Sequence, residues 1–147
     1  MTTDDAMRGH ALDVDRVIAA DAEAIFDAFI ALYDTDRPSW VTGSRLDLRE
    51  GGRWDLAFQV PRGPAFREER VITVFDRPRR LAYEMRAVYE DAPGFDTSVE
   101  ITVEPAPGGQ RLRLVQRGFL TADARDDFAG AWPDVLAEIA RRVESLR

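Results

Sequence analysis

The side chains able to do covalent or metal chemistry are few. The chain has one histidine, no cysteine and no lysine; all 20 of its basic residues are arginine. Thiolate catalysis, disulfides and cysteine metal sites are thereby excluded, as is Schiff-base chemistry on a lysine. His10 stands alone near the start of the chain. A Ser-His-Asp arrangement would need it to meet one of Ser39, Ser44, Ser98 or Ser145, and none of these carries a supporting motif. Zinc would find no set of His or Cys ligands. The glycine pairs in "EGGRW" and "PGGQR" lack the lysine and the following helix of a phosphate loop. The sequence therefore predicts no catalytic residues, no metal and no cofactor.

Carboxylates remain. Glu68, Glu69, Glu84 and Glu100 fall in segments that alternate like strands, and Asp55 follows Trp54. The alternation of Leu81, Tyr83, Met85, Ala87 and Tyr89 sends Glu84 to the outer face. Val99, Ile101 and Val103 do the same for Glu100. In "FREERVITVF" (66–75) the period is ambiguous, so either Glu68 or Glu69 can point inward and serve as a base. Enzymatic activity stays open on that point alone.

The elements that would position these groups follow from periodicity. Residues 1–10 are expected to form a flexible tail ahead of a single domain spanning 11–147. "ALDVDRVIAA" (11–20) alternates as a first strand. "DAEAIFDAFIALY" (21–33) switches to helical spacing, with Asp21 as its cap. "DTDRPSW" (34–40) breaks that helix at Pro38 and suggests a short second helical turn ending near Trp40. Residues 44–119 read as strand after strand, joined by short turns rich in glycine and proline, which is the pattern of an antiparallel meander. Phe128, Trp132, Val135, Leu136, Ile139, Val143 and Leu146 then recur at spacings of three and four, a long C-terminal helix capped at Asp123. Pro133 predicts a kink or a fresh helix start between Ala129 and Pro133.

An antiparallel sheet that long needs its apolar face covered, and the C-terminal helix is the element long enough to do it. The expected fold is α+β: a curved antiparallel sheet of about six or seven strands wrapped around that helix. Gly51-Gly52 in "REGGRWDLAF" would bend the chain into the strand that carries Trp54, Leu56 and Phe58, with unusual backbone angles expected at Gly52.

That order resembles the helix-grip superfamily known as START-like or SRPBCC. Within it the chain is similar to the family named after activators of the Hsp90 ATPase. The resemblance covers residues 11–146 and rests on "RVIAADAEAIFDAF" (16–29), "LREGGRWDLAF" (48–58), "VFDRPRRLAYEM" (74–85) and "LRLVQRGFLTADARDDFAGAWPDVLAEI" (112–139). Family members often carry histidine near the positions of Gln116 and Phe128, and this chain has none there. The superfamily binds apolar molecules between sheet and helix. The resemblance therefore implies a ligand-binding protein, with a chaperone partner as the other implication of the family name.

The inward-facing set carries the same suggestion from residue chemistry. Trp40, Trp54, Phe58, Tyr83, Met85, Tyr89, Gln116, Phe128 and Trp132 combine large apolar bodies with a few polar atoms, as small-molecule sites do. The competing expectation is a core filled by those same side chains. The rim would be built from "DTDRPSW" and the loops at 61–66 and 91–95. A non-catalytic binder of a small apolar or aromatic molecule is the leading reading, ahead of a chaperone-activating interaction protein and a carboxylate-dependent cyclase or hydrolase. A homodimer is compatible with the sequence. The net charge of −7 argues against nucleic acid, and no apolar run is long enough for a membrane span. The polar start lacks a secretory signal, so a cytoplasmic location is expected.

Overall fold

The computed structural model describes residues 9–144, leaving most of the expected N-terminal tail, and Leu146, outside the described residues. Seven strands form one antiparallel sheet in the order β1-β7-β6-β5-β4-β3-β2. They are β1 (His10–Ile18), β2 (Val41–Leu46), β3 (Arg53–Gln59), β4 (Ala65–Asp76), β5 (Arg80–Tyr89), β6 (Phe95–Ala106) and β7 (Gly109–Phe119). Helix α1 (Ala22–Tyr33) follows β1, and helix α2 (Ala122–Glu144) closes the chain. His10 thus opens β1, paired with Phe119, where the sequence had placed the end of the tail.

The first and last strands pair, which returns the meander to its start and brings α2 beside β1. Both helices cover the inner face. Phe26 meets Phe75 edge-on, and Phe29 lies 6.3 Å from Trp54 and 6.2 Å from Trp132. The cover is therefore shared between α1 and α2, and the expectation that α2 alone would do it is corrected. Alternation makes this arrangement work: one side of the sheet is buried and largely apolar, while the other carries cross-strand ion pairs. Arg113 bonds Asp13, Arg80 bonds Glu100, and Arg86 bonds Asp96.

Several local expectations change. Residues 34–40 form turns and no second helix, since Pro38 disfavours helical angles at Arg37. Asp21 occupies the cap position of α1 without a side-chain hydrogen bond. At α2 the cap is Thr121, whose hydroxyl accepts from the Ala124 amide at 3.1 Å, and Asp123 sits in the first turn instead. The helix continues through Pro133 with no fresh start.

At the glycine pair the positive φ, 81°, belongs to Gly51. Gly52 is required for a different reason: a β-carbon there would stand 2.0 Å from the Asp47 carbonyl oxygen. Their backbone groups bond both ways with Ile72 on β4, at 2.7 and 2.9 Å. The pair therefore fastens the approach to β3 against β4.

Candidate functional site

The strand registers lay the inward side chains out in rows across the sheet. The outermost row is Phe58–Phe66–Tyr89. Next come Leu56–Glu68–Ala87–Phe95 and Trp54–Arg70–Met85–Thr97. Then follow Ile72–Tyr83–Val99–Gln116 and, at the far end, Leu81–Ile101–Leu114. Polarity is confined to the middle rows. The inner face is aromatic at one end, polar at the waist and aliphatic at the other end.

The aromatic end is a continuous run of rings. Trp40 stacks on Phe58 at 6.0 Å, Phe58 on Phe66 at 4.9 Å, Phe66 on Tyr89 at 5.2 Å and Tyr89 on Phe95 at 6.0 Å. Phe128 of α2 completes it, edge-on to Phe95. All of these except Phe58 are only partly buried.

A cleft opens at each end of the run. One, of about 460 Å³, lies between Pro38, Trp40, Val60 and Pro61 on one side and Ala131 and Val135 of α2 on the other. The second, of about 470 Å³, is bordered by Tyr89, Pro93, Phe95, Leu120 and Phe128. The turn at 34–40 and the loops at 61–66 and 91–95 thus border these clefts. A third cleft, of about 760 Å³, includes Phe58, Tyr89 and Arg67.

Glu138 sits on the wall of the first cleft. Hydrogen bonds from Arg141, then from Arg142, outweigh burial and hold its carboxyl down to about 2.

At the waist, Gln116 is fully buried and satisfied. Its Nε2 donates to Thr97 Oγ1 at 2.9 Å, and its Oε1 accepts from Trp132 Nε1 at 2.8 Å. This bridge joins β6, β7 and α2. Beside it lies an ion pair. Arg70, 1% exposed, donates from Nε and Nη2 to Glu68 Oε1 at 2.9 and 2.6 Å. The Arg70 guanidinium carbon is 4.5 Å from the Trp54 and Tyr83 ring centres and 4.9 Å from Tyr33. Burial pushes the Tyr33 and Tyr83 hydroxyls far above the usual phenol value, against the pull of Arg70.

The nine predicted site residues divide between two places. Trp40, Phe58, Tyr89 and Phe128 belong to the aromatic end and border clefts. Trp54, Tyr83, Met85 and Trp132 are buried in the hydrophobic core, and Gln116 is a buried polar residue beside them. Sequence reasoning missed Arg70, Thr97 and Tyr33, and it left Glu68 undecided. A signal was available: Glu68 and Arg70 are two apart and opposite in charge, so they must share one face of β4. Among the described residues no cluster of histidine, cysteine or carboxylates suits a metal.

A family model described as "Activator of Hsp90 ATPase homolog 1-like protein" matches residues 19–144. Among solved structures, protein CV1439 from Chromobacterium violaceum is 24% identical, with a TM-score of 0.72, covering 91% of this chain and 97% of its own. Protein MLL2253 from Mesorhizobium loti is 17% identical, with a TM-score of 0.73 and coverage of 94% and 99%. Ara h 8.0201 is 14% identical, with a TM-score of 0.73 and coverage of 92% and 98%. At these identities the likeness shows a shared fold. No curated protein matches the sequence.

Proposed function

The chain belongs to the Activator of Hsp90 ATPase homolog 1-like family, and from that premise we propose that it is a non-catalytic binding protein for a small apolar, aromatic molecule. The site is the aromatic end of the space between sheet and α2. One observation carries this reading: the stacked run from Trp40 to Phe128, partly open to solvent, with a cleft at either end. Rings left partly exposed retain apolar surface that a ligand can cover, and flat faces favour an aromatic guest. The inward carboxylate of the enzymatic alternative is Glu68, and its Oε1 already accepts both hydrogen bonds from Arg70.

The test is a thermal-shift titration with naphthalene-type aromatics and with saturated fatty acids, on the wild type and on Trp40→Ala. A ligand at a hundred times its Kd stabilises the native state by about 2.7 kcal/mol, so Tm should climb with concentration. Aromatic compounds are expected to raise it, less in Trp40→Ala, while fatty acids raise it little. The absence of any shift with the wild type overturns the proposal.

A further inference from the structure

We propose that the bound molecule carries a neutral oxygen acceptor on its aromatic frame, an aryl ketone or aldehyde, received by Arg70, Tyr83 and Trp54; this rests on the binding function above. Arg70 Nη1, Tyr83 Oη and Trp54 Nε1 are buried and make no hydrogen bond. They belong to one cluster: the guanidinium carbon is 4.5 Å from both rings, and those rings lie 5.6 Å apart. A buried donor without a partner is costly, and such groups in folded proteins are normally satisfied. Here three occur together, in a chain whose other buried polar network, Trp132–Gln116–Thr97, is closed.

The charge balance selects the guest. Two of the free groups, Arg70 Nη1 and the Trp54 indole, can only donate, and the Tyr83 hydroxyl can donate or accept. An acceptor is therefore needed. Arg70 is already compensated by Glu68 at 2.6 Å, so the cluster is close to neutral. A carboxylate would bring an extra buried negative charge, and an ammonium group would meet a guanidinium. A carbonyl oxygen offers lone pairs to the free donors and adds no charge.

The donors lie two side chains behind the first cleft. Trp40 borders the cleft, its ring is 6.3 Å from that of Tyr33, and Tyr33 in turn covers the guanidinium. Entry requires both Trp40, which is partly exposed, and Tyr33, which is buried behind it, to swing aside.

Three probes share one ring system and differ in the polar group: naphthalene, 2-acetonaphthone and 2-naphthoate. Affinities would be measured on the wild type and on Tyr83→Phe, with the infrared carbonyl band of bound acetonaphthone as a second readout. The ketone should bind at least about tenfold more tightly than naphthalene or naphthoate, the effect of one or two hydrogen bonds. Tyr83→Phe should weaken the ketone about five- to tenfold and leave naphthalene unchanged. The carbonyl band should move to lower frequency on binding, and by less in the variant.

Equal binding of ketone and naphthalene, indifferent to Tyr83→Phe, overturns the acceptor proposal and leaves the aromatic-binding function standing. Tighter binding of naphthoate overturns the argument from charge. Binding of none of the three removes the binding function, and the proposal with it. Should Tyr83→Phe fail to fold, an unshifted carbonyl band in the wild type is enough to overturn the proposal.

Discussion

At one end of the inner face, Leu81, Ile101, Leu114, Val103 and Leu112 are each at most 2% exposed and carry no side-chain polar atom to satisfy. At the other end, Phe66, Tyr89, Phe95 and Phe128 are partly open, and clefts lie beside them. Strands β5 and β6 contribute to both ends, and α2 runs between them. Its start meets Phe95 and Phe119 through Phe128, and its last turn is tied by Glu144 to the Ala19 amide just beyond β1. The difference is one of completeness. The aliphatic end buries its apolar side chains fully, and the cleft of about 470 Å³ beside it, at Ala19, Gly108 and Gln110, presents mainly polar atoms, while the aromatic end keeps apolar surface in contact with water. Stability therefore rests mainly on the first, while the proposed ligand would use the open rings of the second and the free donors of the waist.

The waist offers the hardest blow to this division. Glu68→Ala would leave Arg70 charged, buried and without its carboxylate, a loss of about 3–5 kcal/mol. Urea denaturation measures it, and a loss below about 1 kcal/mol would mean the pair is dispensable to the core. The two ends can then be set against each other directly. Ile101→Ala should cost about 2–5 kcal/mol, whereas Phe66→Ala at the partly open end should cost about 1 kcal/mol, the share of burial it gives up. Equal losses would erase the distinction between the ends.

The smallest effect is spectroscopic and separates the three tyrosines. Burial holds Tyr33 and Tyr83 protonated beyond the usual phenol range, while Tyr89, half-buried at the aromatic end, is raised less by burial, Glu68 and Asp127. A group whose folded pKa is raised contributes stability that is present below its unfolded value, about 10, and is lost as pH rises above it. An alkaline titration at the tyrosinate band should show Tyr89 ionising in the folded protein, with Tyr33 and Tyr83 appearing together with unfolding. Simultaneous ionisation of all three before any loss of structure would show that the waist is open to water.

The aliphatic end was the easier part to read. Val99-Ile101-Val103 and Leu112-Leu114 alternate cleanly, because nothing but packing is asked of them. The aromatic residues were legible as an inward stripe for the same reason. The division between ring run and buried waist was not, since alternation gives a face and never a depth.

The Glu68–Arg70 pair escaped because β4 obeys two rules at once. Its inward residues 66, 68, 70 and 72 mix rings, charges and isoleucine, while Val71 on the outer side is 39% exposed. A register shift between Ile72 and Val74 then breaks the period. Only the neighbouring strands, with Leu56 and Trp54 on one side and Ala87 and Met85 on the other, show which face is interior. The bend at Gly51-Gly52 was legible as a place, but the need for glycine at 52, the close Asp47 carbonyl, comes from how the turn at 47–53 folds back on itself, which alternation does not show.

Pro133 gives α2 a mechanical character that neither end of the sheet possesses. A proline has no amide hydrogen, so the Ala129 carbonyl has no donor from four residues ahead, and the helix loses one link of its ladder there. The missing link falls between Phe128, which belongs to the ring run, and Val135, which borders the first cleft beside Trp40. Trp132, next to the proline, is held to Gln116. The helix is thus a rod pinned at its centre with a soft joint beside the pin. A tilt of its first two turns about that joint would widen the second cleft, beside Phe128, while Val135 and the wall of the first cleft stay with the pinned remainder.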